Sequence, residues 1–175
     1  MDRYSCNLWD FLKDSVKYTA SISERLDLLI EIIQVVIFIH GKGYAHRDIK
    51  PSNIFVQTVA LQNNKRGLLN GHWALADFGL SSKFSLGKLA RCGTAGFASM
   101  EQFDGKLHKK SDNYAIAKTA ILILFPWNLA WKFLALPISN ADYQNFPWKK
   151  HHMFQIITKL VDVSNNLGQY QENND

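Results

Sequence analysis

His46-Arg47-Asp48-Ile49-Lys50-Pro51-Ser52-Asn53 is followed, 24 positions after Asn53, by Asp77-Phe78-Gly79. Three hard-oxygen side chains, Asp48, Asn53 and Asp77, stand in these two stretches, with the cation Lys50 between the first two. Phosphoryl transfer needs one carboxylate beside the attacking hydroxyl and two oxygen ligands for the Mg²⁺ ions that bridge nucleotide phosphates. Carboxylate and amide oxygens suit Mg²⁺ and suit soft transition metals poorly. The rest of the chain extends on both sides of this pair of motifs.

At 175 residues and 47% apolar, the chain can bury one proper core, and its 20% charged residues are too ordinary a share for disorder. Its net charge of +5 is modest and no dense Lys/Arg block occurs, so neither nucleic acid nor a membrane surface is an expected partner. Cys6 and Cys92 are 86 positions apart, lack zinc-type spacing and follow no secretory signal. Reduced thiols in an intracellular, cytoplasmic protein are the expectation. Two apolar stretches are too charged or too short to span a bilayer. Ile22 to Ile39 contains Glu24, Arg25, Asp27 and Glu31, and Thr119 to Trp131 is broken by Pro126 and falls short of the roughly 20 residues required.

The two motifs resemble the His-Arg-Asp-Leu-x-x-x-Asn catalytic loop and the Asp-Phe-Gly element of protein kinases, and Lys50 resembles the lysine that marks the Ser/Thr type. The resemblance implies ATP and Mg²⁺ as cofactors, a Ser or Thr hydroxyl of a protein substrate as acceptor, and Asp48 as the base that orients it. It implies that Asn53 and Asp77 hold the metal, that Lys50 neutralises the transferring phosphoryl group, and that Thr94 bridges Asp48 and Lys50. Phe55 reads either as the floor of an adenine pocket or as an ordinary core residue of a strand. By the same resemblance His46 and Phe78 stack, Gly79 completes its motif, and Asp112 holds the catalytic-loop backbone. Arg47 resembles an arginine that pairs with a phosphorylated activation segment. The position four before Thr94 is Ala90, which leaves Ser85 as the candidate acceptor. Glu101 resembles a glutamate that pairs with a late arginine, yet no Arg follows Arg91.

Along the chain, Leu8-Trp9-Asp10-Phe11-Leu12 resembles the short helix after a kinase hinge. Ser21-x-x-Glu24 is a capping box opening a helix that is apolar on most sides and ends at Gly41 and Gly43; it is expected to be nearly surrounded by protein. Ile54-Phe55-Val56 and His72-Trp73-Ala74-Leu75 predict two short strands flanking a polar segment, with Lys65 and Arg66 solvated at its tip. Gly93-Thr94 and Ser99-Met100-Glu101 resemble the end of an activation segment, Ser111 to Ala117 the start of a central helix, and Phe146 to Leu160 one further helix. The expectation is a mainly α chain with a small β-hairpin: a kinase C-terminal lobe over residues 1–163 without its small lobe, then a disordered polar tail over 164–175. No Gly-x-Gly-x-x-Gly loop occurs. The expected partners are accordingly a protein substrate and a complementing small lobe or regulatory protein, and the alternative function is a non-catalytic kinase-like binding module.

Overall fold

Burial alternates with the two-residue period of a strand along Ile54–Ala60 (β4), so that Ile54, Val56 and Thr58 are buried and Phe55 faces out. In the computed structural model, which describes residues 4–86, 90–105 and 109–130, this strand pairs antiparallel with Arg66–Leu75 (β5). The register runs Ile54 to Leu75 and Val56 to Trp73, then resumes at Thr58 with Leu68. The extra β5 residues form an irregularity that includes Gly71 at φ 73°, a backbone conformation that favours glycine. Asn63 and Asn64 take left-handed conformations in the turn between the strands, as short polar side chains allow.

The N-terminal segment adds to this hairpin on both sides. Cys6–Asn7 (β1) pairs antiparallel with β4, and Tyr18–Thr19 (β2) pairs parallel with β5, giving the order β1-β4-β5-β2. Between them lies Leu8–Lys13 (α1), capped by the Asn7 side chain, which accepts from the Asp10 N–H. Tyr44–Ala45 (β3) and Ser82–Lys83 (β6) form a second, two-stranded sheet. It ties the approach to the catalytic loop to the segment after Asp77-Phe78-Gly79.

Ile22–Gly41 (α2) begins at the predicted capping box, with both halves present: the Glu24 N–H donates to Ser21 Oγ and the Ser21 N–H to the Glu24 carboxylate. Leu28, Leu29, Ile32 and Val36 point into the core. Lys109–Leu124 (α4) packs against α2 and is buried over most of its length from Ser111 onward. Short helices at Met100–Phe103 (α3) and Trp127–Ala130 (α5) flank it, and the Trp127 ring meets Trp9 of α1 edge-on at 4.7 Å. Among the described residues no helix is long and apolar enough to cross a membrane.

The expectation of a mainly α chain with one small hairpin, and with it that of a large lobe standing alone, is overturned. The described residues carry a four-stranded sheet, two of whose strands come from the N-terminal segment, and a second sheet besides. The hairpin strands are also longer than predicted, because Thr58 and Leu68 continue the buried row past the irregularity. Arg66 is not a solvated tip residue: its guanidinium donates to the Thr58 hydroxyl at 2.7 Å and the Thr58 carbonyl at 3.0 Å. Nor is α2 surrounded, since Ile37 and Phe38 are each 64% exposed. The predicted helix near Phe146, the boundary at 163 and the tail lie outside the described residues.

Ile32 is wholly buried at the centre of α2, five positions from exposed Ile37. Ile32→Ala is expected to lower the unfolding free energy by about 2–5 kcal/mol, and Ile37→Ala by no more than about 0.5 kcal/mol. Urea unfolding midpoints measure both, and equal losses would show that the buried face of α2 is wrongly assigned.

Candidate active site

Asp112 stands in the first turn of α4 with its carboxylate buried. Its Oδ2 accepts the His46 backbone N–H and its Oδ1 the Arg47 backbone N–H, each at 2.8 Å. His40, near the end of α2, donates from Nε2 to the same Oδ2 at 2.8 Å. A buried carboxylate is tolerable only when its oxygens are satisfied in this way. The bonds hold Arg47 at φ 72°, a left-handed conformation a non-glycine residue takes only when its surroundings impose it. Asp48 is thereby turned toward the interior.

His46 completes the loop's inner face. Its Nε2 lies 3.1 Å from the Ala76 carbonyl, so this nitrogen carries the proton, and Nδ1 accepts the Asp48 N–H at 3.3 Å. Burial pushes the imidazole pKa below its ordinary value, against the pull of Asp112, which agrees with a neutral ring. The ring meets Phe78 at 4.7 Å, edge to face.

Both oxygens of Asp48 are engaged. Thr94 donates its hydroxyl to Oδ1 at 2.7 Å, while Lys50 Nζ at 2.8 Å and Asn53 Nδ2 at 3.0 Å donate to Oδ2. Lys50 also donates to Thr94 Oγ1 at 2.6 Å, closing a ring in which ammonium, hydroxyl and carboxylate follow in order of donation. Burial raises the Asp48 carboxyl, but the hydrogen bonds from Lys50 and Thr94 outweigh it and hold the pKa below the ordinary carboxylate value. Asn53 donates a further bond to the Asp48 carbonyl at 2.9 Å. Its amide nitrogen is thus committed to Asp48, and its oxygen is the atom suited to a hard cation.

Asp77 follows β5 at φ 62°, an exposed carboxylate that accepts from the Gly79 N–H at 3.4 Å. A side chain at position 79 would come within 3.2 Å of that carboxylate, so the glycine keeps the oxygen clear. Phe55 is 36% exposed on β4, opposite Asn7 and Ala74, and Phe78 is 50% exposed. The Arg47 guanidinium donates to the carbonyls of Leu80 at 3.2 Å and Ala90 at 2.8 Å and to the Ser82 hydroxyl at 3.3 Å. Ser85 is exposed on the turn Phe84–Leu86, and the Glu101 side chain lies outside the described residues.

Two residues of the site carry no signal in the sequence motifs. His40 could be sought only as a polar residue in the last turn of an apolar helix. Gln102, almost wholly buried, donates from Nε2 to the Arg47 carbonyl at 2.5 Å and the Cys92 carbonyl at 3.1 Å. Nothing in its sequence neighbourhood marks it.

Residues 2–146 match the protein kinase domain. Serine/threonine-protein kinase F of Synechocystis sp. is 36% identical over 144 residues, which cover 80% of this chain and 26% of that protein. Serine/threonine-protein kinase AtPK1/AtPK6 of Arabidopsis thaliana is 35% identical over 86 residues, 48% of this chain and 16% of that protein. Calcium/calmodulin-dependent protein kinase cmkB of Emericella nidulans is 34% identical over 107 residues, 58% of this chain and 24% of that protein. The chain therefore spans about a quarter or less of these three relatives. The matched region contains the catalytic loop, the Asp-Phe-Gly element and the Asp112 anchor, and the chain belongs to the protein kinase family.

Proposed function

We propose that this chain acts as a serine/threonine protein kinase, transferring the terminal phosphoryl group of ATP to a Ser or Thr hydroxyl of a protein substrate. The observation that carries this reading is the closed ring of Asp48, Thr94 and Lys50. Asp48 accepts the hydrogen bond of the substrate hydroxyl and orients its oxygen toward phosphorus. As the new P–O bond forms, the bond to the leaving diphosphate breaks and the hydroxyl proton passes to the carboxylate. Lys50 offsets charge on the phosphoryl oxygens, and Thr94 fixes both partners. Asn53 and Asp77 offer the oxygen donors that would hold Mg²⁺; when bound, ATP and its metal supply the electrophilic phosphorus and neutralise the phosphates. Phe55, open on the face of β4, is the proposed apolar floor for the adenine ring. Ser85 remains the candidate acceptor for phosphorylation of the activation segment itself, while Glu101 resembles an anchoring glutamate whose arginine partner the sequence lacks. The choice of Ser/Thr over Tyr rests on Lys50 and Thr94 together.

This reading needs Asp48 ionised and His46 neutral at physiological pH, and both depressed pKa values fit. A depressed folded-state pKa means that the unfolded chain binds the proton first. Stability therefore falls as pH drops below the unfolded value, which is 6.5 for His46 and 3.8 for Asp48.

Asp48→Asn is expected to lower phosphoryl transfer to a Ser/Thr peptide by about 10²–10⁴ while the melting temperature stays within a few degrees. Radiolabel transfer measures the first, and undiminished transfer would remove Asp48 from its role. Phosphoamino-acid analysis of the labelled product is expected to give phosphoserine and phosphothreonine; mainly phosphotyrosine would overturn the assigned class. The thermal midpoint is expected to fall between about pH 7 and about pH 5, with a shallower fall in His46→Phe. Equal slopes in the two proteins would show that His46 is not the group responsible.

A further inference from the structure

Gln102 in α3 is a buried polar residue that the proposed reaction leaves without a role. Its Nε2 lies 2.5 Å from the Arg47 carbonyl and 3.1 Å from the Cys92 carbonyl, with the Cys92 thiol at 3.7 Å. Both carbonyls only accept, so the nitrogen must face them, and its two protons match two acceptors. The first belongs to the peptide bond that leads into Asp48, the second to the residue two before Thr94. Gly93 lies directly beneath the amide: a Cβ there would stand 2.4 Å from Gln102 Nε2 and 2.7 Å from the Ala98 side chain, at a backbone φ of +104°. The backbone at Gly93 is thus shaped to admit this one side chain. Asp112 holds the N–H side of Arg47 and Gln102 holds its carbonyl side, so the left-handed residue before Asp48 is gripped at both ends.

We infer that Gln102 is a positioning residue that sets the catalytic loop and the Gly93-Thr94 turn against each other, so that the Thr94 hydroxyl meets the Asp48 carboxylate. The inference rests on the kinase reading for its consequence in catalysis, and on the two hydrogen bonds alone for its consequence in structure. Gln102→Met keeps the volume and removes both donors. Displacement of reacting groups by about 1 Å can cost about 10²-fold in rate, so kcat for a Ser/Thr peptide is expected to fall by roughly 10- to 100-fold, with the KM for ATP changed by less than about twofold.

The experiment uses the full 175-residue chain and reads structure as well as rate. In NMR spectra of Gln102→Met the nuclear Overhauser contacts between the Thr94 and Asp48 side chains are expected to weaken relative to wild type, because the bond between them is loosened. In the wild-type protein the Gln102 side-chain NH₂ protons are expected to exchange slowly with solvent and to resonate downfield. A wild-type chain that transfers no phosphate to any Ser/Thr peptide would sink the kinase reading, and the Thr94–Asp48 contacts would then decide the positioning role by themselves. Unchanged Thr94–Asp48 contacts in a folded Gln102→Met overturn the inference. Should that variant fail to fold, fast-exchanging Gln102 amide protons in wild type overturn it, and slow, downfield-shifted ones support it.

Discussion

A single buried carboxylate organises the site. Asp112 sits at the start of the central helix, and its two oxygens accept from two consecutive backbone N–H groups and one imidazole. Stranding a charge in the interior is expensive, so the ion is tolerated only with its donors in place, and the donors are in place only if His46 and Arg47 adopt the loop conformation seen. That conformation is otherwise unfavourable at Arg47. The backbone strain and the buried charge each make the other sustainable, and Asp48 inherits its direction from both.

From that fixed point the remaining polar groups follow by satisfaction of donors and acceptors. His46 turns one nitrogen to Ala76 and the other to Asp48. Asn53 grips both the main chain and the side chain of Asp48, and Lys50 and Thr94 complete the carboxylate's coordination. The Arg47 guanidinium is occupied by main-chain carbonyls and a serine, although its Nε finds no partner among the described residues. The sheet serves this arrangement by placement: β4 begins directly after Asn53, and β5 ends two residues before Asp77.

Much of this was legible in the sequence, for reasons that differ by residue. The proximity of Asp48, Lys50, Asn53 and Thr94 is what the resemblance of their motifs to those of protein kinases implies, and the α2 start follows from a capping box that acts within one turn. The strands β1 and β2 were not legible, because two residues cannot express a period and their pairing is fixed by main-chain bonds to a distant hairpin. Leucine and isoleucine on every side of α2 suggested a surrounded helix, since composition does not reveal which apolar residues remain uncovered. Arg66 was misjudged because its partner, Thr58, comes within reach only through the hairpin register. Gln102 was invisible for a similar reason. A buried amide is recognised by the carbonyls it meets, and those lie 55 and 10 positions away.

The direction of those separations matters when the chain is made from its N-terminus. Thr94, Gln102 and Asp112, which set His46, Arg47 and Asp48 in place, lie 46 to 66 positions downstream of the residues they bind. Loop closure over such distances carries its entropic cost before any contact offsets it. On the ribosome, residues 46 to 53 thus emerge well before Thr94, Gln102 and Asp112 exist to hold them. Completion of the chain through the start of α4 is a condition for the loop's form. A nascent chain stopped short of that helix carries the whole motif in its sequence and none of its architecture.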